Sequence, residues 1–362
     1  MSGEVAAGDR VVATVPVRLA DVGGWTDTWF GSPGRVCHVA VGPAIEVAAR
    51  TVPRADLGHE SVRARLLAPS LPSTAPVEVL VGQTVRPSES HPLLAHAVVA
   101  VLDGIDLDGL GVELVVTSSV PAGASLGTSA SVVVGILAAL DSLVAGGERT
   151  PEQIAVLAHD VETERAGRQA GVQDQWAAAM GGVGLLAIGP YPQVRHEAVD
   201  VAPGVFDEMG NRLVTVAFGP HDSSQVHAQV IQDVVTCSGA EHDRARQALQ
   251  RLSVLAGEAA DALRSGDLER WGEVLAESTS AQAALHPDLV GRPHRAAIDA
   301  ARALGAVGWK VNGAGGDGGS LTVLASASGP SGRELATALV ELDRAWTVVA
   351  LRPGVRGVRV DR

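Results

Sequence analysis

The sequence predicts a two-domain α+β protein, and three observations carry that expectation. Its 362 residues suit two domains of ordinary size. Segments with strand-like alternation precede segments of helical period, and the mixture recurs in the second half. Between the halves, residues 190–204 show neither period and contain Pro190, Pro192 and Pro203. The boundary is therefore placed there, giving domains 1–192 and 193–362.

Taken in order, residues 11–17 alternate loosely and read as a strand ending near Arg18. Further strands are expected at 44–50, 62–67, 77–81 and 111–117, with a helix at 93–102. Helices follow at 129–145 and 151–168, the second entered through Thr150 as N-cap and Pro151 in the first turn. A short helix at 173–180 and a strand at 184–188 complete the first half. The second half opens with a strand at 213–218 and two long helices at 241–265 and 268–285. A helix at 293–304, strands at 308–311 and 320–325 around a glycine loop, a helix at 331–343 and a strand at 346–351 follow. No internal repeat or low-complexity tract interrupts this order.

Composition narrows the function classes. Hydrophobic residues make up 46% of the chain and aromatics 3%, so the core must be built from Ala, Val and Leu. A net charge of −13 argues against a nucleic-acid surface. A locally positive pocket for an anionic substrate stays compatible with it. Cys37 and Cys237 are too few for a disulfide framework, and no Cys/His cluster has structural-zinc spacing. Residues 1–10 have no basic stretch followed by an apolar run, and the apolar run 132–144 is too short to span a membrane. The expectation is a cytoplasmic protein. Lys310 is the chain's one lysine, which invites a functional reading of it.

Three segments carry chemistry. Residues 121–131 read Pro-Ala-Gly-Ala-Ser-Leu-Gly-Thr-Ser-Ala-Ser and open directly into an apolar helix. Small residues before a helix N-terminus suit a phosphate, because unpaired N–H groups and the helix dipole both face it. Gly123 and Gly127 allow close approach, and Thr128, Ser129 and Ser131 add hydroxyls. The Walker spacing is absent, and Ser or Thr at such a place also serves simply as an N-cap.

Residues 18–28 read Arg-Leu-Ala-Asp-Val-Gly-Gly-Trp-Thr-Asp-Thr. Here a strand runs into a Gly-Gly turn with a carboxylate beyond it. Asp27 could hold polyol hydroxyls, or it could cap a surface turn. Residues 310–321 hold five glycines within seven positions, 313–319. A hairpin needs one or two, so close approach to a ligand or to another segment is expected. The run His221-Asp222-Ser223-Ser224 resembles a hydrolase triad only superficially, since triads are assembled by folding rather than by adjacency. It is expected in a loop after the 213–218 strand, facing a cleft.

In this order the three segments resemble the motifs of the GHMP kinase family. Residues 18–28 look like the first motif. Residues 121–131 are similar to Pro-x-x-x-Gly-Leu-Gly-Ser-Ser-Ala, and 310–321 resemble the glycine-rich third. The resemblance implies a ribosomal protein S5 domain 2-like N-terminal domain and a ferredoxin-like C-terminal domain with the site between them. It implies ATP and Mg²⁺, and transfer of phosphate to a small-molecule hydroxyl. By the same resemblance Pro121, Gly123, Ala124, Ser125, Leu126, Gly127, Thr128, Ser129, Gly313, Gly315 and Gly316 bind ATP. Glu162 and Ser129 bind the metal. Asp174, in Gly171-Val172-Gln173-Asp174-Gln175, is the catalytic base, with Arg18 beside it. Gly24, Thr26, Asp27 and Asp174 contact substrate.

The Gly-Gly-Trp-Thr-Asp-Thr segment is similar to the sugar 1-kinases, such as L-fucokinase and D-glycero-D-manno-heptose 7-phosphate kinase. That similarity implies the anomeric hydroxyl of a sugar or sugar phosphate as acceptor, and a homodimer is compatible with it. Four departures stand out. His38 replaces an Asn, which bears on the sugar pocket. Thr128 replaces a Ser. Asn312 replaces a small hydroxyl residue. Asp317 interrupts the glycine run, so it is expected to point away from phosphates or to bind metal or sugar.

Overall fold

The computed structural model describes residues 6–59, 61–69, 76–80, 91–219 and 223–362. The chain opens with a long antiparallel pair, β1 (Arg10–Val22) and β2 (Gly34–Pro53). After the exposed Arg10, β1 alternates buried and half-buried residues and is then buried on both faces. β3 (Val62–Leu67) and β4 (Val77–Leu80) pair with each other, helix α1 (Pro92–Leu102) follows, and β5 (Leu110–Ser118) lies between β2 and β3. The expected strand at 77–81 is described over Val77–Leu80, and residue 81 lies outside the described residues.

Helix α2 (Thr128–Val144) is buried on nearly every side, against the sheet and against α1. That explains its almost unbroken Ala, Val and Leu content. α3 (Pro151–Asp160) begins with a reciprocal capping box between Thr150 and Gln153. The expected single helix to residue 168 does not form. Residues 161–165 widen into a π-helical turn. The wide turn keeps Glu162 inward and leaves Glu164 exposed, and Thr163 Oγ1 donates to the His159 carbonyl beneath it. α4 (Gln173–Met180), β6 (Val183–Ile188) and β7 (Val194–Ala198) complete this half. β7 is a strand within the proline-containing 190–204 stretch, paired with β6.

α5 (Val205–Arg212) leads into β8 (Leu213–Ala217), followed by α6 (Ser223–Thr236), α7 (Ala240–Ser265), α8 (Leu268–Leu285) and α9 (Arg292–Ala303). Strands β9 (Gly308–Val311) and β10 (Ser320–Leu324) flank the glycine loop. α10 (Gly332–Leu342), β11 (Thr347–Val349), β12 (Arg352–Pro353) and β13 (Arg359–Asp361) close the chain. β11, β8, β10 and β9 form a four-stranded antiparallel sheet. β12 and β13 instead return to the large sheet, pairing with β2 and β1.

Lys310 lines neither of the two cavities described below. It is 2% exposed, donates to Gln282 Oε1 at 2.8 Å and lies 3.8 Å from Asp21. It ties β9 to α8 and to the end of β1. Asn312 does a similar job. Its Oδ1 accepts from Ala20 N at 3.2 Å while its Nδ2 donates to Ser320 and Thr322. The two sheets are thereby joined through one amide at the edge of the site.

Candidate active site

The three chemistry-bearing segments meet. Arg18 N donates to the Leu126 carbonyl, Ser320 Oγ to the Ala124 carbonyl, and Gly313 N to the Asp21 carboxylate. Between them opens a cavity of about 650 Å³ lined by all three and by the 167–175 stretch.

The N-cap of α2 is Gly127, at φ +77°, and no side chain caps the helix. Its first-turn N–H groups therefore face the cavity without a side-chain acceptor, which is the anion-site arrangement rather than the plain Ser/Thr cap. A Cβ at Gly127 would stand 3.2 Å from Asp174 Cγ, so any other residue would push into that carboxylate. Ser125, aligned with the first glycine of the motif, adopts φ +56°. Ala20 and Trp25 also have positive φ. Three of the four such non-glycine residues among the described ones thus lie in the site segments, where backbone strain tends to collect.

Arg18 is 3% exposed. Its Nε donates to Asp174 Oδ1 at 2.8 Å and its Nη1 to the Ser125 carbonyl at 2.6 Å, with Asp21 3.9 Å away. Burial alone would lower its pKa, but the Asp174 and Asp21 carboxylates outweigh that and raise it. Glu162 is buried, and its Oε2 accepts from Gln175 Nε2 at 2.6 Å. Burial and the nearby Asp174 charge push its carboxyl up to about 7, against the opposing pull of Arg168, Gln175 and the Ser129 hydroxyl. Four buried polar atoms on cavity-lining residues have no hydrogen-bond partner among the described residues: Ser125 Oγ, Thr128 Oγ1, Gln173 Oε1 and Gln175 Oε1. Buried groups left this way call for a polar ligand.

Several expected residues lie elsewhere. Gly24 and Thr26 do not line the cavity. The Thr26 hydroxyl is used by the turn itself, bonding the backbone of Gly23 and Arg35. Pro121 is exposed and off the cavity, and Ala124 is buried beneath it. Gly315 and Gly316 are absent from the lining, where Gly313 and Ala314 are present. At Gly315 a Cβ would come within 1.8 Å of the Leu289 carbonyl, so this glycine allows the loop to pack on the 287–292 segment. Asp317 Oδ1 accepts from Arg292 N at 3.1 Å, at the start of α9 and away from the phosphate loop. His38 is fully buried outside the cavity, and burial, with His196 and Arg18 nearby, pushes it down to about 3, so it is neutral. Trp176 stacks on His196, whereas Trp25 lines the cavity with its ring 4.6 Å from that of His227. Of the 221–224 run, His221 and Asp222 lie outside the described residues.

Other lining residues carried no separate signal in the sequence. Asp21 is 1% exposed and anchors Gly313. It stands inside the 18–28 segment, where the sequence assigns it no role. His227 comes from α6, whose helical period was not read. Gln169 accepts from Trp29 Nε1 at 3.0 Å and belongs to a loop without periodicity.

Asp27 is 1% exposed, and its Oδ2 accepts from Gln173 N at the start of α4, at 3.0 Å. Burial first, and the Asp174 charge after it, raise its carboxyl from 3.8 to about 6. The folded chain therefore holds this proton where the unfolded chain has lost it. The contribution favours folding below pH 4 and is lost as pH rises through about 6. At pH 8 the ionised group costs on the order of 2–3 kcal/mol. Asp27→Asn keeps the acceptor for Gln173 and cannot ionise. Urea unfolding should show it more stable than the parent by about that amount at pH 8 and equal to it at pH 4. A stability difference that is the same at both pH values would contradict the burial argument.

Residues 93–182 match the family model for the GHMP kinases N terminal domain. A mevalonate kinase of Thermococcus onnurineus is 30% identical over 233 residues, 64% of this chain and 66% of that one. The chain thus spans just under two thirds of that relative's length. A bifunctional fucokinase/GDP-fucose pyrophosphorylase of Arabidopsis thaliana is 25% identical over 297 residues, 77% of this chain and 26% of that one. The solved structure of a D-glycero-D-manno-heptose 1-phosphate kinase from Bacteriodes thetaiotaomicron superimposes with a TM-score of 0.72 at 20% identity. That superposition covers 97% of this chain and 99% of the other. No helix among the described residues is long and apolar enough to cross a membrane. The chain carries the GHMP kinase N-terminal domain and has the GHMP kinase fold.

Proposed function

We propose that this chain is an ATP-dependent kinase that transfers the γ-phosphate to a hydroxyl of a small sugar. One observation carries the reading: the Asp174 carboxylate stands against Gly127, at the positive end of α2, with Arg18 bonded to it. A triphosphate tail bound by the first turn of α2 would end beside the one carboxylate positioned to take a proton from an attacking hydroxyl. In this reading Gly123, the 125–129 stretch and Gly313 surround the phosphates. Asp174 accepts the hydroxyl proton, and Arg18 orients it and offsets charge on the transferring group. Asp27 holds a second hydroxyl of the acceptor. The domain division at 190–204 would assign both substrates chiefly to the first domain, with the glycine loop contributed by the second.

Glu162 and Ser129 fit Mg²⁺. Both offer hard oxygens, and a desolvated Glu162 beside Asp174 gains from a cation. When bound, the ion supplies charge neutralisation for the phosphates. The Trp25 and His227 rings cover the acceptor end and exclude water from it.

The acceptor we favour is an anomeric hydroxyl, of a heptose 7-phosphate or a fucose-like sugar. The residues 23–28 segment and the fucokinase and heptose kinase relatives support it. A second reading, another small alcohol, is favoured by the mevalonate kinase identity. Incubation with ATP, Mg²⁺ and a panel of free and phosphorylated sugars plus mevalonate, followed by phosphorus NMR, separates them. The expected product shows a new phosphate resonance coupled to an anomeric proton. Turnover with mevalonate alone would overturn the sugar assignment, and no ADP release with any acceptor would overturn the kinase assignment.

A further inference from the structure

A second cavity, of about 460 Å³, lies outside the site just described. Its origin is a fault in the β1–β2 ladder. Val17 pairs with Val41 and Val15 with Ile45, so three residues of β2, 42–44, stand opposite the single residue Pro16. Pro16 has no N–H to offer a ladder, which favours such a break. β12 pairs with β2 at this point, placing Arg352 opposite Gly42, and β13 pairs with β1, placing Arg359 opposite Thr14. Arg356 comes from the turn between them, held by a bridge to Gly181.

Three guanidinium groups therefore border one cavity whose other walls are Thr14, Val15, Pro16 and glycine or valine backbone, with no carboxylate among the lining residues. None of the three arginines makes an ion pair or a side-chain hydrogen bond among the described residues. Arg149, which is also exposed, and the buried Arg18 and Arg212 do. By register the nearest carboxylates on this sheet face are Glu46, across Thr14, and Asp361, two residues beyond Arg359. Neither pairs with an arginine. In a chain of net charge −13, an unbalanced group of three cations around a cavity is not explained by solubility or by folding.

We propose that this cavity is a second anion site that binds a small phosphoanion. Arginine forks match phosphate oxygens two at a time, and three of them around a cavity of ligand size suit a multiply charged phosphate more than a single carboxylate. The site is separate from the main cavity yet shares structure with it. Strand β1 carries Pro16 at one and Arg18 at the other, and the Pro16 carbonyl accepts from Ser131 Oγ in the first turns of α2. The 355–358 stretch also bonds the far end of α4, the helix that carries Asp174.

The test is calorimetric titration with inorganic pyrophosphate, with and without a saturating non-hydrolysable ATP analogue to fill the main cavity. One binding event per chain should survive the analogue. In R352Q/R356Q/R359Q that event should weaken by on the order of tenfold or more, while the charge-retaining R352K/R356K/R359K keeps it in part. All three positions are exposed, so the variants should fold, and a thermal melt checks this. Parallel titrations with inorganic phosphate and glucose 1-phosphate distinguish a free-phosphate ligand from an organic one. Absence of a surviving event, or a surviving event unchanged in the Gln variant, overturns the proposal. If the analogue itself fails to bind, two pyrophosphate events remain and the arginine variant still removes one, so the kinase reading fails on its own.

Discussion

Asp174→Asn should lower kcat by about 10³-fold while leaving ATP binding within a factor of two or three. Asparagine has the same shape and its Oδ1 can still accept from Arg18 Nε, a bond of 2.8 Å in the native chain. What it cannot do is take a proton from the attacking hydroxyl. The stability cost should be small by comparison, because the Asp174 side chain is 29% exposed, and water already screens it. Two further carboxyls report on the same change. Asp27 and Glu162 are both raised in part by the Asp174 charge, so neutralising residue 174 should bring both down. The stability loss between pH 4 and pH 8 that Asp27 contributes should therefore shrink in the variant. Turnover within tenfold of the parent would remove Asp174 as base. A collapse in stability with unchanged turnover per folded molecule would make it a packing residue.

Much of this site was legible because its chemistry is local. Gly127, Thr128 and Ser129 announce a helix entrance in consecutive residues, and Gly313 belongs to a glycine density no hairpin requires. The helices at 173–180 and 268–285 and the strand at 308–311 were readable to the residue. What stayed hidden depends on distant pairing. Thr26 has the chemistry of a substrate ligand, yet its hydroxyl is taken by Gly23 and Arg35, which only the folded turn brings near. Gly315 looks like a ligand contact, and the fold also packs it closely against the Leu289 carbonyl, 26 positions away. The first strand runs 13 residues, to Val22, past the end expected near Arg18. The arginines of β12 and β13 carry no local pattern, and only the return of the chain to β1 and β2 sets them around one cavity. Lys310 shows the opposite error. Its rarity suggested function, and its surroundings make it a structural tie.

Arg18→Met should be the variant that loses both stability and turnover. The guanidinium is 4% exposed and faces Asp174, Asp21 and the Ser125 carbonyl at once. Removing it leaves Asp21, itself 2% exposed, with Lys310 at 3.8 Å as its remaining cation. Breaking a buried pair from one side costs about 3–5 kcal/mol, since the partner charge stays behind. Turnover should fall by about 10²-fold or more, because Asp174 loses its orientation and the transferring group loses its nearest cation. Arg18→Lys separates the two effects. It restores a charge, so urea unfolding should recover part of the lost stability. Its single nitrogen cannot reproduce the fork in which Nε meets Asp174 while Nη1 meets the Ser125 carbonyl. Its kcat should therefore stay low while its stability approaches the parent. If the lysine variant recovers both, charge alone is what the position needs. If the methionine variant unfolds at the same urea concentration as the parent, the carboxylates around residue 18 are not relying on it, and the electrostatic account of this corner fails.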